Sequence, residues 1–184
     1  MSKTVLVRYG AISEVARFVN ASGTPLTRGT HVVIQSHRGL ESGLLLEDAP
    51  ADADRRADDE TASAPEEDTA RIVRPLTDDD RHADRLLRSD CQEQYAHWQA
   101  RIRAWKLQLE LIDLEWTLDR SKLILYVLND RGPECTRLAL QSAAAGLGIV
   151  EVQSVGPDGL VPMETGHGCG SGGCGSGGSN GCCH

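Results

Sequence analysis

The chain has 184 residues, 40% of them apolar, and a formal net charge of -8. That apolar content is enough for a buried core and excludes a chain disordered throughout. Nine acidic and two basic residues fall within 48–68, a local -7, so the remainder is close to neutral and nothing argues for a broad basic face on nucleic acid or an anionic membrane.

The opening run Val5-Leu6-Val7 is too short for a signal peptide and closes at Arg8, and no segment reaches the roughly 18 apolar residues of a membrane span. The expectation is a cytoplasmic protein without a membrane partner. In that compartment the six cysteines read as reduced thiols or metal ligands rather than a disulfide framework.

Taken in order, Lys3–Tyr9 and Val15–Val19 read as paired strands, and Asn20 to Pro25 as a turn cluster. Thr30–Ser36 is a third strand. His37-Arg38-Gly39 turns the chain into a fourth, Leu40–Glu47, in which Gly43 suggests a bulge or a tight barrel corner. Short strands at this spacing predict a small, strongly bent antiparallel sheet or barrel. The segment 48–68 holds almost only Ala, Asp, Glu, Arg, Ser, Thr and Pro; it cannot bury enough surface to offset its chain entropy and reads as a flexible acidic loop.

Arg71–Arg74 resumes as a strand and stops at Pro75. Thr77 before Asp78-Asp79-Asp80 is an N-cap followed by carboxylates where the helix dipole favours them, and the helix is predicted to run to about Gln108. Leu87, Cys91, Tyr95, Trp98, Ile102, Trp105 and Leu109 recur at helical spacing and form one apolar stripe. From Ile112 the pattern changes to strict alternation, with Ile112, Leu114, Trp116 and Leu118 on one face and Asp113, Glu115, Thr117 and Asp119 on a wet one. Asp119 to Lys122 is the turn of a hairpin whose second strand, Leu123–Leu128, has no polar phase and belongs in the middle of a sheet. Pro133 opens a second helix through Leu147, with Ala139, Ala143, Ala144 and Ala145 allowing close approach to the sheet and glycine at Gly146 or Gly148 as its stop. Ile149–Val155 is a last strand, closed by Gly156 to Gly159.

The fold class that follows is α+β: a small β-rich, barrel-like N-terminal part, then a helix-strand-strand-helix-strand layer. Residues 1–165 would form this domain, and the Gly/Cys/His-rich stretch 166–184, with no apolar side chain to bury apart from its cysteines, would be a disordered tail.

Three groups of residues could carry chemistry. Cys169, Cys174, Cys182 and Cys183, with His184 beside them, offer soft ligands for an iron-sulfur cluster or zinc, although Cys182 and Cys183 are adjacent and the spacing is not that of an ordinary zinc knuckle. Arg38, Gly39, Glu41 and Gly43 at one turn, and Arg74 with Asp80 at the next, place two guanidinium groups at strand ends. There they could meet a carboxylate or phosphate of a partner, or RNA. Cys91 and Cys135 read as packed small hydrophobes. The histidines at 31, 37, 82 and 97 pair with no nucleophile or acid in a catalytic arrangement, and no glycine loop is built to cradle phosphate.

The stretches HVVIQSHRGLESGLLLE, RIVRPLTDDD and LELIDLEWTLDRSKLILYVLN resemble the polymerase-suppressor (PSP-one) C-terminal domain family, from Val5 to Gly156. The specific pieces are Arg-Gly-x-Glu-x-Gly at Arg38 to Gly43, Arg-x-x-Thr-x-x-Asp at Arg74, Thr77 and Asp80, and the hairpin Leu-Ile-Asp-x-Glu followed by Asp-x-Ser-Lys-Leu. The resemblance implies a cytoplasmic, non-catalytic regulatory adaptor acting through protein partners, with a link to the control of RNA processing and to iron-sulfur clusters. The family's Cys-Gly-Arg-x-x-Cys-Cys motif is matched at Cys169, Gly170 and Cys174, with Ser171 and Gly175 at its third and seventh positions.

Overall fold

A computed structural model of the chain describes residues 4–48, 70–129, 132–157 and 159–161. The acidic segment between the fourth and fifth strands and the cysteine tail, with Cys169, Cys174, Cys182, Cys183 and His184, lie outside the described residues.

The first strands are β1 (Thr4–Tyr9), β2 (Glu14–Asn20), β3 (His31–Gln35), β4 (Leu40–Asp48) and β5 (Arg71–Pro75). They close into a barrel in the order β1-β2-β5-β3-β4. Alternation along each strand drives the closure, because Val5, Val7, Tyr9, Phe18, Val32, Ile34, Leu45 and Ile72 all point inward and form one core. Tyr9 and Phe18 meet edge to face with centroids 5.5 Å apart. The barrel is not wholly antiparallel as expected, since β2 and β5 pair in parallel through Val19↔Arg71 and Asn20↔Ile72. Nor does the bulge fall at Gly43. The β1–β4 register shifts between Leu6 and Val7, whose partners are Glu47 and Leu45, so Leu46 is the extra residue. Gly43 instead lets β1 approach: a Cβ there would lie 2.6 Å from Val7 Cγ1.

The second layer begins with α1 (Asp78–Ala104), which opens on a complete capping box. Thr77 accepts from the Asp80 backbone N–H, and the Asp80 carboxylate accepts from the Thr77 backbone N–H. The helix ends short of Gln108 because Lys106 takes a left-handed conformation, φ 54°. The Lys106 and Leu107 N–H groups bond back to the Arg103 and Ile102 carbonyls, and the chain reverses into the sheet. That sheet has the order β6-β7-β8-β9, from β6 (Glu110–Trp116), β7 (Leu123–Leu128), β8 (Val150–Gly156) and the short β9 (Gly159–Leu160). The sequence pattern did not show β9. The helix α2 (Pro133–Ala144) is the crossover between the parallel strands β7 and β8.

Cys91, Trp98 and Ile102 of α1 and Cys135 and Leu138 of α2 pack on Leu111, Leu114, Leu123, Leu125 and Val127 in one core. The Tyr95 hydroxyl donates to the Leu111 carbonyl at 2.7 Å, tying helix to sheet. The alanines of α2 do not make this contact; Ala143, Ala144 and Ala145 face solvent, and the buried face is Cys135, Leu138 and Ser142.

The hairpin β6–β7 forms as expected, but its alternation is not strict. The register slips between Leu111 and Asp113, so Ile112 is the extra residue of a bulge and is 40% exposed, while Leu111 takes its place in the core. The strand stops at Trp116, leaving Leu118 in the turn. The expected wet face is wet only at its two ends, where Asp113 and Asp119 are exposed. Thr117 is fully buried, and that side of the hairpin faces the barrel. As a result β7 is covered on both sides: Leu123, Leu125 and Val127 by the helices, Ile124 and Tyr126 on the opposite face. No described helix is long and apolar enough to cross a membrane.

Candidate functional site

The turn between β3 and β4 is where the two layers meet. The Ser36 N–H donates to the Gly39 carbonyl at 2.9 Å, and the Gly39 N–H to the Ser36 carbonyl at 3.3 Å. Gly39 has φ +140°, and a Cβ there would meet Thr117 Cγ2 at 3.1 Å. Glycine therefore serves both the turn and the close approach of the hairpin. Just beyond it, the Leu118 N–H donates to the Leu40 carbonyl at 2.7 Å, a backbone bond from one layer to the other.

This turn aims the Arg38 side chain inward, where it is only 2% exposed. Its Nη1 donates to the Tyr126 hydroxyl at 2.9 Å. Nη2 lies 3.0 Å from Glu41 Oε1 and 3.8 Å from Glu14 Oε2, and the guanidinium carbon stands 4.9 Å from the centre of the Tyr9 ring. The Tyr126 hydroxyl in turn donates to Glu115 Oε2 at 2.6 Å, an oxygen that also accepts from the Ala11 N–H at 2.9 Å. The Ser36 hydroxyl donates to the Glu41 carboxylate. The Arg38–Glu41 contact is an ion pair without full hydrogen bonding, since neither Nη2 nor Oε1 completes an aligned bond.

Burial pushes the Glu41 carboxyl up to about 7, against the opposing pull of Arg38 and the Ser36 hydroxyl. Burial and the Glu115 carboxylate raise Tyr126 far above the ordinary phenol range, and burial with Glu14 does the same for Tyr9, so both remain phenols. Burial alone would lower Arg38, but Glu41 and the surrounding groups outweigh it and hold the guanidinium charged. Chemically, the arrangement is a fixed cation enclosed by carboxylates and phenols. It can hold the barrel and the hairpin in one relative position.

The second motif is paired within the chain but lies at the surface. Arg74 makes a two-pronged contact with Asp80, Nη2 to Oδ1 at 2.9 Å and Nη1 to Oδ2. Asp80 Oδ2 further accepts from the Thr77 N–H at 2.9 Å and hydroxyl at 2.7 Å. Arg74 and the Thr77 donors hold the Asp80 carboxyl well below the usual carboxylate range. The structure therefore brings Arg38, Gly39 and Glu41 together, keeps Gly43 in the barrel wall, and sets Arg74 and Asp80 apart from them as a brace between β5 and α1. Presentation to an outside ligand, expected for both guanidinium groups, fails for Arg38, which is buried; Arg74 is paired with Asp80 but its side chain stays 45% exposed.

Sequence reasoning missed Tyr9, Ser36, Glu115 and Tyr126. Two signals were available, a lone hydroxyl in an otherwise apolar strand at Tyr126 and a carboxylate beside it in the hairpin at Glu115. Cys91 and Cys135 are buried as expected, and burial raises the Cys91 thiol to about 11. Among the described residues no group of three or more His, Cys, Asp or Glu is placed to hold a metal ion.

Residues 70–132 match the family model of the PSP1 C-terminal conserved region. The matched stretch, about a third of the chain, includes β5, α1, β6 and β7, so the similarity takes in the Arg74–Asp80 brace and the Glu115 and Tyr126 half of the polar joint. The Arg38 turn precedes it. No curated protein and no solved structure matches the chain.

Proposed function

We propose, on the premise of the similarity to the PSP1 C-terminal conserved region, that this is a regulatory protein of the non-catalytic adaptor kind, acting in the cytoplasm through protein partners and bearing on the control of RNA processing. The observation that carries the reading is the fate of the most chemistry-rich cluster. Arg38, Tyr126 and Glu115 are hydrogen-bonded in series and Arg38 is ion-paired with Glu41 at the joint between barrel and sheet, and a buried cluster whose charges are paired within the chain serves positioning. A rigid two-layer scaffold with its charged cluster internal offers its outer faces for binding. The test is a pull-down of the tagged full chain from its native host under mild salt. One or more specific, stoichiometric partners are expected, and recovery of abundant background proteins alone would overturn the proposal.

Two narrower readings rest on other residues. An iron-sulfur cluster or zinc on Cys169, Cys174, Cys182, Cys183 and His184 is supported by the ligand chemistry of that stretch. Anaerobic isolation with metal and sulfide assay tests it, and metal content unchanged by removal of 166–184 would eliminate that site. RNA contact through Arg74 predicts affinity that falls steeply with salt, and salt-insensitive binding would remove it.

A further inference from the structure

One face of the four-stranded sheet changes character along its length. On β7, Ile124 and Tyr126 are fully buried on the side of the sheet that carries the joint to the barrel, yet Leu128, next in the same phase, is 52% exposed. Register extends this position across every strand: Glu110 opposes Leu128, Leu128 opposes Val155, and Val155 opposes Leu160. Directly opposed residues share a face, so Leu128, Val155 and Leu160 form an apolar row. Ile112, the extra residue of the bulge, is exposed beside it. The β6 end of the row carries two exposed carboxylates, Glu110 and Asp113.

We propose that this row is a docking surface for a partner segment whose apolar side chains are flanked by lysines or arginines. The charge of the rim selects that occupant over a second copy of this chain, which would bring the same carboxylates, Glu110 and Asp113, against their own kind. Strand addition at β6 is disfavoured by the bulge at Ile112 and by the Asp113 carboxylate, which accepts from the Leu114 N–H at 2.8 Å. The occupant therefore lies across the face, as an amphipathic helix does in a groove. The proposal deepens the adaptor reading and rests on it.

The probe is a synthetic amphipathic peptide of about 18 residues, long enough to hold a helix, with a leucine stripe flanked by lysines. A counterpart carries glutamates in place of the lysines. Binding to the full chain is read by fluorescence anisotropy. The lysine peptide is expected to bind and the glutamate peptide not, and Leu128→Asn should weaken binding by about tenfold or more, as loss of an apolar anchor does. A Glu110→Lys/Asp113→Asn double variant, which keeps the acceptor at Asp113, should weaken it while leaving the thermal midpoint unchanged. Equal binding of both peptides, or unchanged affinity in both variants, overturns the proposal. So does a wild-type dimer in sedimentation that Leu128→Asn dissolves, since the face would then be a self-contact. If Leu128→Asn retains every partner found by pull-down, this surface falls and the adaptor reading stands.

Discussion

Replacing Glu41 by glutamine tests the account of the buried joint most directly. Glu41 is 2% exposed, and its carboxyl is raised from 4.5 to about 7 in the folded protein. A raised carboxyl means that the native state holds its proton more tightly than the unfolded chain. The contribution to stability is therefore complete below about pH 4.5 and is lost as pH climbs through 7. At about 1.4 kcal/mol per unit, the two values imply a fall of roughly 2–3 kcal/mol between pH 5 and 8 from this group alone. Glutamine imitates the protonated side chain in shape and cannot ionise. Its Arg38 neighbour keeps the Tyr126 hydroxyl and, behind it, the Glu115 carboxylate. Glu41→Gln should accordingly match the wild type near pH 5 and exceed its stability increasingly above pH 6. Urea unfolding at a series of pH values measures the difference. If the two proteins run parallel from pH 5 to 8, or if the wild type gains stability over that range, the assignment of a protonatable Glu41 is wrong.

Tyr126→Phe removes the hydroxyl that accepts from Arg38 and donates to Glu115, leaving the buried guanidinium and the half-buried carboxylate each short of one hydrogen bond. A loss of about 1–3 kcal/mol is expected in urea unfolding, and none would show that the bridge contributes nothing. Asp80→Ala removes the carboxylate half of the capping box of α1 and the Arg74 contact, with an expected loss of about 1–2 kcal/mol. Because the Asp80 carboxyl is held below its ordinary 3.8, that stabilisation is present above this pH and fades below it. The gap in thermal midpoint between variant and wild type should thus narrow in acid, and a gap constant down to about pH 2 would contradict the assignment. The Cys91 thiol, raised to about 11 by burial, should be about 100-fold less ionised at pH 8 than a thiol at its ordinary value. Alkylation by iodoacetamide, followed by mass spectrometry, should modify it only after unfolding; equal rates in folded and unfolded protein would refute its burial.

The elements themselves were legible because their signals are local. Thr77 before three aspartates announces the start of α1, an unbroken apolar run announces a strand covered on both sides at Leu123–Val127, and Arg38-Gly39 announces a turn. What misled was the assumption that a polar residue seeks water. Of the residues read as a wet face, Asp113 and Asp119 are exposed, yet Glu115 bonds to Tyr126 and Thr117 is packed against Gly39. Alternation reports which residues share a side, and it does not say what lies against that side.

The amino-acid pattern by itself determined the α+β order of elements, the helix stripe through Cys91, Trp98 and Ile102, and the enclosure of β7, since each depends on neighbours within a few positions along the chain. Only the tertiary structure decided that β2 and β5 run parallel, that Ile112 slips out of the core, and above all that Arg38 is enclosed. The Arg38–Tyr126 bond spans 88 positions. A guanidinium at a turn looks the same in sequence whether it faces solvent or a second layer, and its environment exists only once the barrel has docked on the hairpin.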